Sequence, residues 1–293
     1  MPAQHVLVPI DFSPYADQAL VYAIEVAKSL NAYLTLLHVL QVPLVVGDSE
    51  AVLNASLESL EAEAEQGLQA ALERIRQAAL KGESVMVAGV PFQTIVQVAR
   101  DQHADLIVMG THGRTGLTHI LIGSVAEKVV RLAPCPVLVT RPHEDAATPH
   151  ILVPLDFSAD ADYALEIAVE LAQKRQARMS LLHVIDRPPM GPGEIPLSGS
   201  YQQEVLTAVD QHMTRTLVHV QQTGLKADMT IRRGNPLQTI LEVAHSQNID
   251  LIVMGTRGRT GFKRVLLGSV AENVVRLAPC PVMVTHRRED SLE

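Results

Sequence analysis

The chain repeats itself at an offset of 145 residues. VPIDFS at Val8–Ser13 returns as VPLDFS at Val153–Ser158, and LLHV at Leu36–Val39 returns at Leu181–Val184. Gly89 and Pro91 return as Gly234 and Pro236, and APCPV begins at Ala133 and again at Ala278. Between Asp105–Thr140 and Asp250–Thr285, 28 of 36 positions are identical. Such a period is too long for a solenoid unit and is the size of a whole domain. The 293 residues therefore divide into two similar domains, each large enough to bury a core without staples. The polar, proline-bearing stretch Arg141–Pro149 reads as the linker, which places the domains at residues 1–143 and 149–293.

Within each copy, short aliphatic runs alternate with longer amphipathic ones. In the first copy the runs are His5–Ile10, Tyr33–Val39, Ser84–Ala88, Asp105–Gly110 and Pro136–Thr140. They are continuous rather than alternating, the pattern of strands buried on both faces. Helices are predicted over Pro14–Leu30, Glu50–Lys81, Pro91–His103 and Val125–Leu132. Ser13 is the candidate cap of the first, Gly67 weakens the second, and Pro91 opens the third. The order βαβαβαβαβ requires an α/β fold, with a mostly parallel sheet, right-handed crossovers and helices on both faces. The second copy departs from this between Asp186 and Ser200, where proline and glycine replace helix-forming sequence and predict a loop.

Composition removes several function classes. With no Trp, five Tyr and four Phe among 47% hydrophobic residues, the core must be aliphatic. The net charge of −8 argues against non-specific nucleic-acid binding. Two cysteines, Cys135 and Cys280, exclude a disulfide scaffold and a four-thiolate zinc site. They read as small buried residues, reduced in the cell. No apolar run reaches the roughly 18–20 residues of a membrane span, and the start MPAQHVLVPIDFS lacks the features of a signal peptide. The expectation is a cytoplasmic protein without membrane or nucleic-acid partners.

The chemistry-bearing motif follows the fourth strand. Gly110, Gly113, Gly116, Gly123 and Ser124 are matched by Gly255, Gly258, Gly261, Gly268 and Ser269, with the shared spacing G-x2-G-x9-G-S. A strand running into a glycine-rich loop and then a helix start suits an anion. Glycines admit backbone amides, and the helix adds oriented N–H groups and partial positive charge. Arg114 and Arg259 supply cations. The loop is neither G-x4-G-K-[ST] nor G-x-G-x-x-G after a first strand. Its glycines also have a plain reading as tight turns. Ser124 with Glu127, and Ser269 with Glu272, read as capping boxes. Asp11 and Asp156 end the first strand beside the expected crevice. With Ser13 as the better cap, the carboxylate is left for a ribose, a base or a metal. Val39 and Val184 end the second strand, facing either the core or an adenine. His38 and His183 read as structural, and His112 becomes Arg257 and so is no shared base. His119 becomes Arg264, which with Arg257, Arg259 and Lys263 leaves the second loop the more basic.

The ordered set V-P-[IL]-D-F-S, L-L-H-V, G-x2-G-x9-G-S and A-P-C-P-V, present twice, resembles the universal stress protein family in its tandem form. The resemblance implies two doubly wound, Rossmann-like domains, each a five-stranded parallel sheet in the order 3-2-1-4-5. It implies ATP at two sites per chain, with Mg²⁺ assisting. Carried over, Pro9, Asp11, Val39 and Met109 would meet the ribose and base. Gly110, Thr111, Gly113, Arg114, Gly116, Gly123, Ser124 and Val125 would wrap the phosphates. The second site would use Pro154, Asp156, Val184, Met254, Gly255, Thr256, Gly258, Arg259, Gly261, Gly268, Ser269 and Val270. The resemblance also implies that the two fifth strands pair the domains within one chain, with a homodimer of chains open.

Three functions compete on this reading. The first is a nucleotide-dependent regulator or protective factor of the stress response. The second is a slow ATP-hydrolysing or phosphoryl-transferring enzyme, which needs metal ligands and a positioned nucleophile that the motifs do not supply. The third is a nucleotide-independent partner-binding module, against which two intact loops argue.

Overall fold

The computed structural model describes residues 4–41, 50–112, 122–142, 149–186, 199–256 and 268–285. The chain forms two α/β units. The first contains β1 (His5–Pro9), α1 (Pro14–Leu30), β2 (Tyr33–Leu40), α2 (Glu50–Gln77), β3 (Gly82–Ala88), α3 (Pro91–Asp101), β4 (Leu106–Gly110), α4 (Ser124–Leu132) and β5 (Val137–Thr140). Its strands lie in the order β3-β2-β1-β4-β5. They pair in parallel, with Val6 opposite both Leu34 and Leu106, and Ile107 opposite Val137.

The second unit repeats this. It holds β6 (His150–Pro154), α5 (Ala159–Arg175), β7 (Arg178–Ile185), α6 (Gly199–Gln222), β8 (Ala227–Arg233), α7 (Pro236–Ser246), β9 (Leu251–Gly255), α8 (Ser269–Leu277) and β10 (Val282–Thr285). Its strands lie in the order β8-β7-β6-β9-β10. In each unit the chain steps one way from the first strand and later returns to its other side. The ends of β1 and β4, and of β6 and β9, thus flank a topological switch point, where open α/β sheets bind ligands.

The elements form for local reasons. Ser13 Oγ accepts from the Ala16 amide at 3.2 Å and Pro14 opens α1, whose last turn closes on Asn31 in the left-handed region. Ser158 caps α5 in the same way. Arg74 on α2 pairs with Asp17 on α1, so these helices share one face of the sheet. On the other, Lys128 of α4 lies 4.5 Å from the ring centroid of Phe92 on α3. The core is aliphatic as composition requires, with Val6, Leu7, Val8, Leu36, Ile107 and Val108 fully buried. Cys135 and Cys280 are buried and not disulfide-bonded.

One expectation is corrected here, and the second helix is as expected. The third strands are not buried on both faces: Glu83 and Ser84 on β3 and Asp228 on β8 are exposed, because each strand ends its sheet and has one neighbour. Helix α2 runs unbroken through Gly67. A Cβ there would lie 2.4 Å from the Phe12 ring, so this glycine is where the helix receives an aromatic side chain. The Asp186–Ser200 segment lies largely outside the described residues.

Candidate functional site

The floor of the site begins with the turn from β1 into α1. Phe12 sits there at φ 61°, and Phe157 in the second unit at φ 62°. Bulky residues rarely hold this left-handed conformation, which costs about 1–2 kcal/mol, so neighbours must enforce it. The buried His38 does so in two ways. Its Nδ1–H donates to the Ile10 carbonyl at 2.7 Å, and its ring stacks on Phe12 with centroids 4.7 Å apart. His183 repeats both contacts, to the Leu155 carbonyl at 2.7 Å and to Phe157 at 4.3 Å. The histidines are structural, as the sequence suggests, and what they hold is the shape of this turn.

Asp11 and Asp156 are also part of the turn. Asp11 Oδ1 accepts from the Ser13 amide at 3.0 Å. Asp156 Oδ1 accepts from the Ser158 amide at 3.1 Å and its hydroxyl at 2.6 Å. The expectation that capping by serine leaves the whole carboxylate for a ligand is therefore corrected. One oxygen closes the turn, and the turn in return fixes where the carboxylate stands.

The rest of the floor is the end of β4 and the start of α4. A Cβ on Gly110 would lie 2.8 Å from the Tyr15 carbonyl oxygen, and one on Gly255 2.7 Å from the Asp160 backbone. Glycine here lets the first turn of α1 or α5 pack directly on the strand end. The Gly123 amide donates to the Thr111 carbonyl at 2.7 Å, and Gly268 to Thr256 at 2.8 Å. These bonds draw the helix start back to the strand end and make Gly123 and Gly268 the caps, with no side-chain cap bond. Ser124 and Ser269 are the first helical residues. The capping-box reading is thus wrong by one position, and neither hydroxyl is spent as a cap. The first-turn amides of a helix have no acceptor within it; here they open on the same space as Asp11.

That space is a cavity of about 550 Å³ in the first unit. It brings together Pro9, Asp11 and Val39 with Met109, Gly110 and Thr111, and with Gly123, Ser124 and Val125. In the second unit, a cavity of about 210 Å³ brings together Pro154, Asp156 and Val184 with Met254, Gly255 and Thr256, and with Gly268, Ser269 and Val270. Gly113, Arg114, Gly116, Gly258, Arg259 and Gly261 lie outside the described residues. No group of three or more His, Cys, Asp or Glu side chains able to hold a metal occurs among the described residues. No helix among them is long and apolar enough to cross a membrane.

The sequence profile of the universal stress protein family matches residues 2–141 and again 148–286. The chain belongs to the universal stress protein family. It does so in tandem form, and the family places it in the stress response. A universal stress protein of Mycobacterium tuberculosis is 30% identical to it over 95% of both chains. One of Mycolicibacterium smegmatis is 29% identical over 97% of both. A universal stress protein of Methanocaldococcus jannaschii is 38% identical over 137 residues, 46% of this chain and 81% of that one. The crystal structure of a universal stress protein from Archaeoglobus fulgidus superposes with a TM-score of 0.73 at 25% identity, covering 98% of this chain and 100% of that one.

Sequence reasoning about this universal stress protein missed two contributors. Phe12 was legible as a repeated letter of the D-F-S motif, but its left-handed backbone was not. The wall that α2 gives the first cavity, with Leu60, Glu63, Ala64 and Gly67, has no motif. Its only signal is a glycine inside an otherwise strong helical pattern.

Proposed function

We propose that this universal stress protein binds ATP, with one adenine-nucleotide site at the strand ends of each half, and acts in the cytoplasm as a nucleotide-dependent regulator or protective factor. The observation that carries the reading is the convergence of the α4 first-turn amides, Ser124 and Asp11 on one cavity of about 550 Å³. That volume lies within the ~300–1,000 Å³ of small-molecule sites. The donor set fits a nucleotide. Backbone amides at a helix start suit phosphate oxygens, and the apolar strand ends Pro9, Val39 and Met109 suit a base. Mg²⁺ would arrive on the phosphates, since it is usually held by one or two carboxylates plus substrate oxygens. Arg114 and Arg259 would add positive charge.

Denaturing freshly purified protein and identifying any released nucleotide is the first test. Calorimetry on nucleotide-free protein should then show saturable ATP binding. Gly113→Val and Gly258→Val should each remove one site by placing a side chain where phosphate must approach. The reading is refuted if folded, nucleotide-free protein binds none of ATP, ADP, AMP and cyclic AMP. Nucleotide acts here as a bound effector; hydrolysis at about 1 s⁻¹ or faster, lost in both loop variants, would replace this with the enzyme reading.

We also propose that the halves pair through β5 and β10. Each is a four-residue aliphatic strand, Val137–Thr140 and Val282–Thr285, of the kind that is an aggregation hazard if left open. The linker of about nine residues spans roughly 30 Å when extended. Leu138→Asp with Met283→Asp should loosen the pair while leaving each half folded, read by limited proteolysis at the linker.

A further inference from the structure

We infer that the two sites are unequal, and that the residue at position 67 in the first half and 212 in the second sets the difference. The inference rests on the nucleotide reading above. The strand-end floors match residue for residue, yet the cavities measure about 550 and 210 Å³. The first extends past Asp11 over Phe12 and His38 to α2, where Glu63, Ala64 and Gly67 form its far side. The second is bounded by its floor, the start of α8 and Pro236 and Ile240 of α7, and among the described residues neither Phe157, His183 nor any residue of α6 lines it.

The helix residues account for this. At the offset of 145, Ala64 becomes Val209 and Gly67 becomes His212. Both changes add side-chain volume at positions that face the cavity in the first half. Gly67 leaves room for the Phe12 ring to lie on the helix itself, since a Cβ there would meet the ring at 2.4 Å. In the second half an imidazole occupies that position. The His212 ring packs on Phe157 with centroids 4.2 Å apart, while His183 stacks on the same ring at 4.3 Å. The aromatic cluster takes the place of the alcove. The carboxylate of Glu63 is also lost, its counterpart being Ala208. The first site thus accommodates a whole adenine nucleotide, while the second keeps the helix-start anion donors and half the room or less.

The test is photolabelling of the full chain with 8-azido-ATP over a concentration series, with tryptic mapping of label to residues 4–142 or 149–285, beside calorimetry with ATP. The first site should fill at a concentration at least tenfold lower than the second. His212→Gly should lower the half-saturating concentration of the second site at least threefold, and Gly67→His should raise that of the first. His212 is exposed, so His212→Gly and His212→Ala keep the fold even if Gly67→His does not. Equal labelling of both halves, or a second site unmoved by both His212 variants, overturns the inference while leaving the nucleotide reading intact. No competable label in either half overturns both.

Discussion

The turns β1–α1 and β6–α5 agree down to their hydrogen bonds, whereas the helices that flank them do not. In both turns a phenylalanine holds a left-handed backbone, a histidine donates to the preceding carbonyl at 2.7 Å, and an aspartate accepts from the amide two residues on. Against this, α2 offers Gly67 where α6 offers His212, and Tyr15 in α1 is replaced by Asp160 in α5. The difference follows from how each part is held. The turn is over-determined, since an unfavourable backbone persists only when several contacts enforce it. A helix is fixed by its inner face alone, so residues bordering a cavity can change without disturbing the fold. Floor geometry is thus shared by both halves, and wall geometry makes them individual.

The most damaging way to break the shared floor is to fill the gap between strand end and helix. Gly110→Val and Gly255→Val place side-chain atoms against backbone at 2.8 and 2.7 Å, which cannot move aside as a flexible side chain would. Each should cost about 3 kcal/mol, the upper end for overpacking. Urea unfolding should show similar losses for the two, although the neighbour is Tyr15 in one half and Asp160 in the other. A loss below about 1 kcal/mol in either half would mean that the helix start is not pressed on the strand.

Next in size is loss of the histidine lock. His38→Phe and His183→Phe keep an aromatic ring beside the phenylalanine but leave the Ile10 or Leu155 carbonyl without its imidazole donor. An unmet buried acceptor costs about 1–3 kcal/mol, so each variant should lose about 2 kcal/mol by the same measurement. Equal losses sharpen the claim that the two floors are one design; a difference above about 1 kcal/mol breaks it.

Most of the floor was legible in the sequence and most of the wall was not. The offset of 145, the Ser13–Pro14 helix start and the aliphatic runs each follow from a local rule, and local rules survive into the fold. Ser124 shows where they fail. The capping box matches the letters, but the Gly123–Thr111 bond pulls the cap one residue earlier, and that bond joins elements 12 residues apart. Phe12 fails for the same reason, because its backbone is fixed by His38, 26 positions away. The aliphatic run of β3 predicts burial on both faces, but the strand ends the sheet, a place that its own letters do not mark and that only the family resemblance implies. Gly67 scores as a weakness of α2 by helix propensity, since its partner, the Phe12 ring, lies on another element.

A smaller effect separates the walls. Thr256 Oγ1 donates to Asp160 Oδ2 at 3.0 Å in a buried setting, whereas Thr111 Oγ1 lies 3.1 Å from His112 Nδ1 in a half that has Tyr15 at the position of Asp160. Bonds to a charged acceptor contribute about 1.5–3 kcal/mol and neutral ones about 0.5–1.5. Thr256→Val should therefore cost about 1.5 kcal/mol and Thr111→Val about half of that. The reverse order in thermal unfolding would show that Asp160 does not depend on this threonine.

The smallest expected effect lies at the opposite ends of the strands. His150 is buried there, with Nδ1 3.3 Å from the Gln247 carbonyl and Nε2 2.8 Å from Ser180 Oγ, which also lies 2.8 Å from Asp228 Oδ1. Burial, and then the charge of Arg178, push the imidazole below its ordinary value of 6.5; the Gln247 carbonyl, Asp228 and Asp250 pull it upward by less. The folded state therefore favours neutral His150, while the unfolded chain takes up its proton near pH 6.5. Between those two points the unfolded state binds more protons, so stability rises with pH. This contribution is complete above pH 6.5, is lost progressively as pH falls through that value, and levels off below the lowered folded value. One site cannot give a slope above about 1.4 kcal/mol per pH unit. His150→Gln should flatten the acid side of a stability-against-pH curve from pH 7.5 to 4.5. His5→Gln, at the matching position with Thr35 in place of Ser180, tests whether the slope belongs to the second half. A slope that survives His150→Gln and disappears with His5→Gln would assign it to the first.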